Sequence, residues 1–127
     1  MEEILYLLDN LEKTTIRDLK VHALLYILSQ RSNTFNYEFD VGEDHKFGQM
    51  EIYSNEINNE IQNSDKINTI KKTTFGGGIR QNYRIENKNI KTKLDNNIKN
   101  TLDNIINKYG DLPISNLLVQ IYDEKHY

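Results

Sequence analysis

The stretch INTIKKTTFGGGIRQNYRIE, Ile67 to Glu86, decides the fold of this chain. Two runs with strand character, Ile67–Thr74 and Gln81–Glu86, flank a turn that contains the three glycines Gly76-Gly77-Gly78. Glycine takes positive φ without a clash at Cβ, so a tight reversal there has little steric cost. The spacing of the two runs around this turn therefore predicts a β-hairpin.

This predicted hairpin is the basic part of an acidic chain. Eight cations and one anion, Glu86, lie between Lys66 and Lys93, which gives that segment a charge of +7. The whole chain has a net charge of −3, so the remainder carries −10. Net repulsion from phosphate argues against indiscriminate nucleic-acid binding, but a local basic patch can still bind it.

Length and composition indicate one domain, 1–127, with a single core. Apolar residues make up 37% of the chain and charged residues 28%, a balance typical of a small soluble protein. No apolar run approaches the roughly 20 residues that span a bilayer, and the start Met1-Glu2-Glu3 lacks the cationic end of a signal peptide. The absence of cysteine excludes disulfides and thiolate metal sites. We expect a cytoplasmic protein that does not enter a membrane.

Helical periodicity precedes the hairpin. An apolar stripe from Ile4 to Leu11 predicts a first helix that ends near Asn10. Thr15-x-x-Asp18 has the spacing of a capping box and predicts the start of a second helix, from Ile16 to about Gln30. His22 lies off the main apolar stripe of this helix, so we expect a partly exposed side chain there.

Between this helix and the hairpin, the sequence predicts a strand, a loop and a third helix. Thr34–Val41 alternates between polar and apolar residues, which predicts a strand with four side chains on one sheet face: Phe35, Tyr37, Phe39 and Val41. Gly42 to Gly48 reads as a polar loop. The third helix is predicted from Met50 or Ser54 to Gln62, and Ser54 can cap the later of the two starts.

Two more helices are predicted after the hairpin. Apolar residues recur every three to four positions from Leu94 to Tyr109, and Gly110 supplies a stop. Pro113 suits the first turn of a last helix. The side chains expected to point inward from this last helix are Ile114, Leu117, Leu118 and Ile121.

The predicted class is α+β and mostly helical. The predicted order is helix, helix, strand, helix, hairpin, helix, helix. Within it, helix–strand–helix–hairpin is the layout of a winged helix, a helix-turn-helix variant whose hairpin is the wing. The wing covers about 67–86, and two added C-terminal helices form an extension over about 91–125.

Several segments resemble one winged-helix group. Leu19–Leu28, LKVHALLYIL, resembles the LxKLLYFL helix of the YwgA-like and Panacea (SocA-like antitoxin) proteins, and Phe35–Phe39 resembles the Y-x-F strand that follows it there. Lys108–Leu112 and Leu117–Tyr122 are similar to the KYGDLS…L…YVY ending of that group.

The third helix carries another part of this resemblance. Tyr53-Ser54, with Ile57 and Ile61, resembles the tail of the group's GP-(Y/F)-S motif and the helix that follows the motif. Glu51-Ile52 stands where the group has Gly-Pro. The start of this helix therefore departs from the family pattern.

The preferred function is binding of duplex DNA as a transcription regulator. Cations of the wing are expected to contact phosphates, with Arg80 near the tip able to enter a minor groove. Outward amides of the third helix are candidates for base contacts in a major groove. The candidate DNA-binding residues are Lys66, Lys71, Lys72, Arg80, Arg84, Lys88, Asn55, Asn58, Asn59 and Gln62.

Two plainer interpretations compete with this one. The lysines of the hairpin can simply keep an exposed sheet edge from aggregating, and the amides of the third helix can form a solvated face. The main rival function is a protein-interaction module, an antitoxin or adaptor that contacts a partner protein through its acidic third helix. Glu56 and Glu60, without a cation on their helix, favour that rival.

The penultimate helix has a long apolar stripe, which predicts a homodimer seam across a two-fold axis. The residues assigned to the seam are Leu94, Ile98, Leu102 and Ile105. DNA-binding dimers double their contacts by occupying two half-sites. The alternative is that this stripe packs within one chain, against the first and last helices.

Other chemistry has little support in the sequence. The three glycines are followed by Ile79-Arg80 rather than by the Gly-Lys-Ser/Thr of a phosphate-binding loop. Glu43, Asp44 and His45 form a polar cluster that predicts at most weak metal binding. No nucleophile set or carboxylate pair stands out, so we expect neither an enzyme nor a bound cofactor.

Overall fold

The computed structural model describes residues 1–126, and within them the chain is α+β and mostly helical, as predicted. Five helices and two small antiparallel sheets make up this part of the chain. In chain order the elements are α1 (Glu2–Asn10), β1 (Thr15–Arg17), α2 (Asp18–Arg31), β2 (Asp40–Asp44), β3 (Gln49–Tyr53), α3 (Asn55–Gln62), β4 (Ile67–Thr73), β5 (Ile79–Ile85), α4 (Asn96–Tyr109) and α5 (Ile114–His126).

The predicted hairpin is confirmed as β4 and β5. The two strands are antiparallel, and Lys72 lies opposite Arg80 in the register. At the tip the Thr74 N–H donates to the Gly78 carbonyl at 2.7 Å. Of the three glycines only Gly77 has a positive φ, +84°, so that position is where the turn needs the missing Cβ.

The predicted capping box is wrong, because Thr15 belongs to a strand and Asp18 is the first residue of the helix. Thr15 to Arg17 form β1, which pairs with β5 and completes a three-stranded sheet in the order β1-β5-β4. The helix α2 starts two residues later than predicted, at Asp18, whose Oδ1 accepts the N–H of Leu19. Thr15 is extended and pairs with Arg84 of β5, so it lies in the strand and not at the start of the helix.

The segment between α2 and α3 also differs from the prediction. Residues 35–39 form neither helix nor strand, although Phe35 is buried and Tyr37 and Phe39 pack partly against the core. Instead, the chain forms a second hairpin, β2–β3, in which Asp44 pairs with Gln49. The predicted polar loop is therefore mostly strand and turn.

Local signals explain this second hairpin. The Oδ1 atom of Asp44 accepts the N–H groups of Lys46 and Phe47 at 3.1 and 3.4 Å, and Gly48 has a φ of +62°. An Asp side chain bound to the backbone ahead of it, followed by a left-handed glycine, is typical of a reversal. Met50 is buried in β3, so the earlier of the two predicted starts of α3 is wrong.

The helices α4 and α5 and the strand β3 pack against α2, which is buried on nearly every side. The apolar stripe of α4 lies in this core: Ile98 is 8% exposed, and Leu102 and Ile105 are fully buried against α1 and α2. Leu94 is partly buried against the same core. Ile98, Leu102 and Ile105 pack within the chain, so the predicted dimer seam through them is wrong. The homodimer itself stays a prediction.

A reciprocal clasp holds the chain after β5 to the end of α1. The Lys88 ammonium donates to the carbonyls of Leu8, Asp9 and Leu11 at 3.3, 2.9 and 2.9 Å. The Asp9 carboxylate accepts the N–H groups of Asn89 and Ile90 in return. A cation at a helix C-terminus satisfies the last carbonyls and faces the negative end of the helix dipole. Lys88 is therefore a structural residue, and its prediction as a DNA contact is wrong.

Replacing Lys88 with methionine is expected to lower the free energy of unfolding by about 1–2 kcal/mol, because three carbonyls lose a charged donor. Chemical denaturation at neutral pH measures this change. Lys91→Met is the matched control, since Lys91 is exposed and only three residues away. Equal stability of the two variants would contradict a role for Lys88 in holding α1.

Candidate nucleic-acid interface

Register and alternation bring most of the predicted wing cations to one face of the three-stranded sheet. Ile16, Tyr83 and Ile67 are buried on the inner face, so residues of the opposite parity lie on the outer face. We call this outer face the basic face, and we include in it Lys66 and Glu86, which pair just beyond the ends of β4 and β5. Its cations are Arg17, Lys66, Lys72, Arg80 and Arg84.

The charges of the basic face are not neutralised within the molecule. In residues 1–126, none of its five cations forms an ion pair with a carboxylate. Within the part of the chain that the structure describes, the only acid on this face is Glu86, which lies opposite Lys66 at the end furthest from the hairpin tip. The positive charge is therefore concentrated on one surface and open to an anionic partner.

Arg17 also belongs to this face, although the sequence did not predict it as a contact. It lies opposite Asn82 in the register of β1 and β5. Its Nε atom is buried without a hydrogen-bond partner among the described residues, although the residue as a whole is half-buried. A three-residue strand has almost no periodic signal, so nothing in the sequence separated Arg17 from an ordinary helix-capping segment.

The structure divides the other predicted contacts between two sides of the hairpin. Lys71 lies opposite Gln81 on the inner face, and the Gln81 amide donates to Asn58 of α3 at 2.9 Å. The helix α3 therefore packs on the face of the hairpin that carries Lys71, away from the basic face. The amides of α3 and most of the wing cations do not share one surface.

The amides of α3 differ in their surroundings. Asn55, Asn59 and Gln62 are exposed, as predicted for candidate base contacts. Asn58 is half-buried, and its Oδ1 accepts hydrogen bonds from both Gln81 and Tyr83. Asn58 is thus engaged within the protein and is not available to a base.

The two glutamates of α3 point towards residues 35–39. Glu60 accepts a hydrogen bond from the Tyr37 hydroxyl and lies 3.7 Å from the N-terminal ammonium. Glu56 accepts the N–H of Glu38 at 3.2 Å. Both carboxylates therefore have partners in the same molecule. The side of α3 that carries the exposed amides has no acid.

A buried hydrogen-bond network fixes the sheet, α2 and α3 relative to one another. His22 is fully buried, which corrects the predicted partial exposure. Its Nδ1 accepts the N–H of Ser54 at 3.0 Å, so the ring proton is on Nε2, which donates to the Tyr83 hydroxyl at 2.9 Å. Tyr83 in turn donates to the Oδ1 of Asn58 at 2.8 Å.

Burial also sets the protonation states of His22 and Tyr83 in this network. It lowers the pKa of His22 to about 4, because the charged imidazolium would lose its hydration in the core. Burial likewise raises the pKa of the Tyr83 hydroxyl, which stays protonated. The predicted cap of α3 is confirmed beside this network, since Ser54 Oγ accepts the N–H of Ile57 at 3.2 Å.

The acidic cluster of the β2–β3 hairpin serves the fold. Glu43 binds Lys125 of α5 at 2.6 Å, and the Nδ1 of His45 lies 2.7 Å from the Tyr122 hydroxyl. Asp44 supports its own turn, as described above. Across residues 1–126, the structure contains no group of three His, Cys, Asp or Glu side chains placed to hold a metal ion.

Comparison with protein-family models, with curated proteins and with solved structures finds no match to this chain. None of the helices in residues 1–126 combines the length and the apolar character that a membrane span requires.

Proposed function

We propose that this protein is a winged-helix regulator that binds duplex DNA through the basic face. The observation that carries the proposal is the collection of five unpaired cations on one side of the sheet, in a chain whose net charge is −3. Cations held in place on a surface whose one acid within residues 1–126, Glu86, lies at the end furthest from the hairpin tip replace the counterions of the phosphate backbone.

The topology supports the winged-helix part of the proposal. Without β2 and β3, the order is helix, strand, helix, helix, hairpin, and the first strand pairs with the last one. On this interpretation, β4 and β5 form the wing, α3 is the helix before it, and β2–β3 is an insertion. The resemblance to the YwgA-like and Panacea proteins stays a prediction.

The contacts of Glu56 and Glu60 favour DNA over the rival protein-interaction module. That rival depends on free carboxylates along α3, whereas both glutamates have partners in the segment at 35–39. The helix α3, which carries the exposed amides Asn55, Asn59 and Gln62, packs on the side of the hairpin that carries Lys71. These amides are a second, smaller contact surface. Because it lies on the opposite side of the hairpin from the basic face, one duplex contacts both surfaces only if it wraps around the hairpin.

A salt titration tests the proposal. Each neutralised phosphate contributes about −0.9 to the slope of log K against log salt, so five cations predict a slope of about −4 to −5. Fluorescence anisotropy of a labelled duplex, repeated at several salt concentrations, gives this slope. Absence of binding at low salt, or a slope near zero, would contradict the proposal.

A further inference from the structure

The tip of the wing exposes an aromatic side chain that the fold does not use. Phe75 has a relative exposure of 111%, and Ile79, at the other side of the tip, is 73% exposed. Exposed aliphatic residues are common on protein surfaces, but a completely exposed phenylalanine is not. Gly76 to Gly78, which follow it, have no side chains to cover the ring.

A second exposed phenylalanine provides a contrast. Phe47, in the turn between β2 and β3, is 64% exposed, and the Lys46 ammonium lies over its ring at 5.4 Å from the centroid. Among the described residues, no cation covers the Phe75 ring in this way. The tip of the wing thus presents an apolar ring to whatever the basic face binds.

The surroundings of Phe75 are suited to a polyanion. From Lys66 to Ile85 the chain contains five cations and no acid. Lys72 and Arg80 form the cationic row nearest to the tip on the basic face, and Arg84 continues this face towards the base of the sheet. These cations form a line along the strands, and such a line matches the charges of a phosphate backbone. A tip that inserts into a lipid surface needs cations only around the tip itself.

We propose that Phe75 is a wedge that enters the minor groove of the bound duplex and inserts between two base pairs. The inference rests on the proposed DNA binding and specifies how the wing contacts the duplex. Proteins that use such apolar wedges kink DNA by about 20–90° and prefer steps that unstack easily.

The dimensions of the hairpin fit this role. The row of Thr74 and Gly78 lies two residues beyond the row of Lys72 and Arg80, a distance of about 7 Å at the rise of a strand. Phe75 begins beyond that row and extends further. The minor groove is about 7.5 Å deep, so Phe75 reaches its floor when the two cations contact phosphates at its edges.

The test compares the natural chain with Phe75→Ala on a duplex of about 25 base pairs that has a central TA step. The fluorescent adenine analogue aminopurine, placed at that step, reports unstacking through a rise in emission. The natural chain is expected to raise the emission and to bend the duplex, as measured by energy transfer between the duplex ends.

Phe75→Ala is expected to remove both signals and to weaken binding by roughly 5- to 150-fold, the range for one base stacked on an aromatic ring. The salt slope should stay the same, since no charge changes. Phe47→Ala is the matched control, an exposed aromatic residue on another hairpin, and should behave like the natural chain. Thermal melting shows whether each variant is folded. We expect Phe75→Ala to fold, because the Phe75 side chain is fully exposed.

Three outcomes would overturn the wedge, and they are distinguishable. If Phe75→Ala still unstacks the duplex, DNA binding stands and the wedge is wrong. If the natural chain fails to bind any duplex at low salt, the proposed function fails and the wedge fails with it. If Phe75 is needed for binding to vesicles of phosphatidylserine and phosphatidylcholine while the duplex stays stacked, the tip inserts into a lipid surface.

Discussion

Replacing His22 with alanine is expected to lower the free energy of unfolding by about 3–5 kcal/mol. The substitution removes a fully buried ring, and it leaves the Ser54 N–H without an acceptor at the point where β3 leads into α3. The hydroxyl of Tyr83, in β5, also loses the hydrogen bond from His22 Nε2. Denaturant unfolding at pH 7 measures the loss.

Two further variants separate the hydrogen bonds of His22 from its volume. In His22→Asn, the amide oxygen takes the place of Nδ1 and accepts the Ser54 N–H, so a smaller loss than for alanine is expected. Lys91→Gln, at an exposed lysine, is the control and should change stability by less than about 0.5 kcal/mol. Equal losses for the alanine and asparagine variants would contradict the importance of the Nδ1 acceptor.

The same residue makes stability depend on pH. An unfolded histidine gains a proton near pH 6.5, whereas folded His22 stays neutral down to about pH 4. Between these values the unfolded state binds more protons, so stability is fully present above pH 6.5 and decreases as the pH falls. The expected loss is about 3 kcal/mol by pH 4.

The asparagine variant checks this pH dependence, because it cannot titrate in that range. Between pH 6.5 and 4, the natural chain should lose about 3 kcal/mol more free energy of unfolding than the asparagine variant. Parallel pH profiles for the two proteins would show that other groups cause the acid loss.

The double substitution Lys72→Glu/Arg80→Glu is expected to weaken duplex binding by at least about 100-fold at moderate salt. Each charged contact is worth about 1.5 kcal/mol or more, and a factor of ten corresponds to about 1.4 kcal/mol. The salt slope should decrease in magnitude by about 2. Anisotropy titrations at several salt concentrations give both quantities.

A control with the same change in net charge separates the basic face from general repulsion. Lys46→Glu/Lys91→Glu alters two exposed lysines that lie outside the basic face. This variant should keep the salt slope of the natural chain and lose much less affinity. Equal loss in both double variants would mean that net charge, and not the arrangement on the sheet, governs binding.

Only part of the interface could be predicted from the sequence. Lys66, Lys72, Arg80 and Arg84 were identified because a basic run stands out in an acidic chain. Arg17 was missed because it joins them through β1, a strand of three residues that exists only by pairing with β5. Strand pairing between residues more than 60 positions apart leaves no local pattern.

The same limit explains the residues that were misassigned. Lys88 looked like one more cation of the wing, but its three acceptors lie about 80 residues earlier, at the end of α1. His22 looked partly exposed from its position on a helical wheel. Its environment is set by Ser54 and Tyr83, which come from two other elements.

The sequence by itself determined the elements whose stabilising interactions are local. Glycines in the turn, apolar residues at helical spacing and the Ser54 cap were enough to predict the β4–β5 hairpin and the helices α1, α3, α4 and α5. Only the tertiary structure decided which cations share a face, which are used inside the fold and that the apolar stripe of α4 packs within the chain. Those outcomes depend on contacts between residues far apart in the chain, and such contacts exist only once the core has formed.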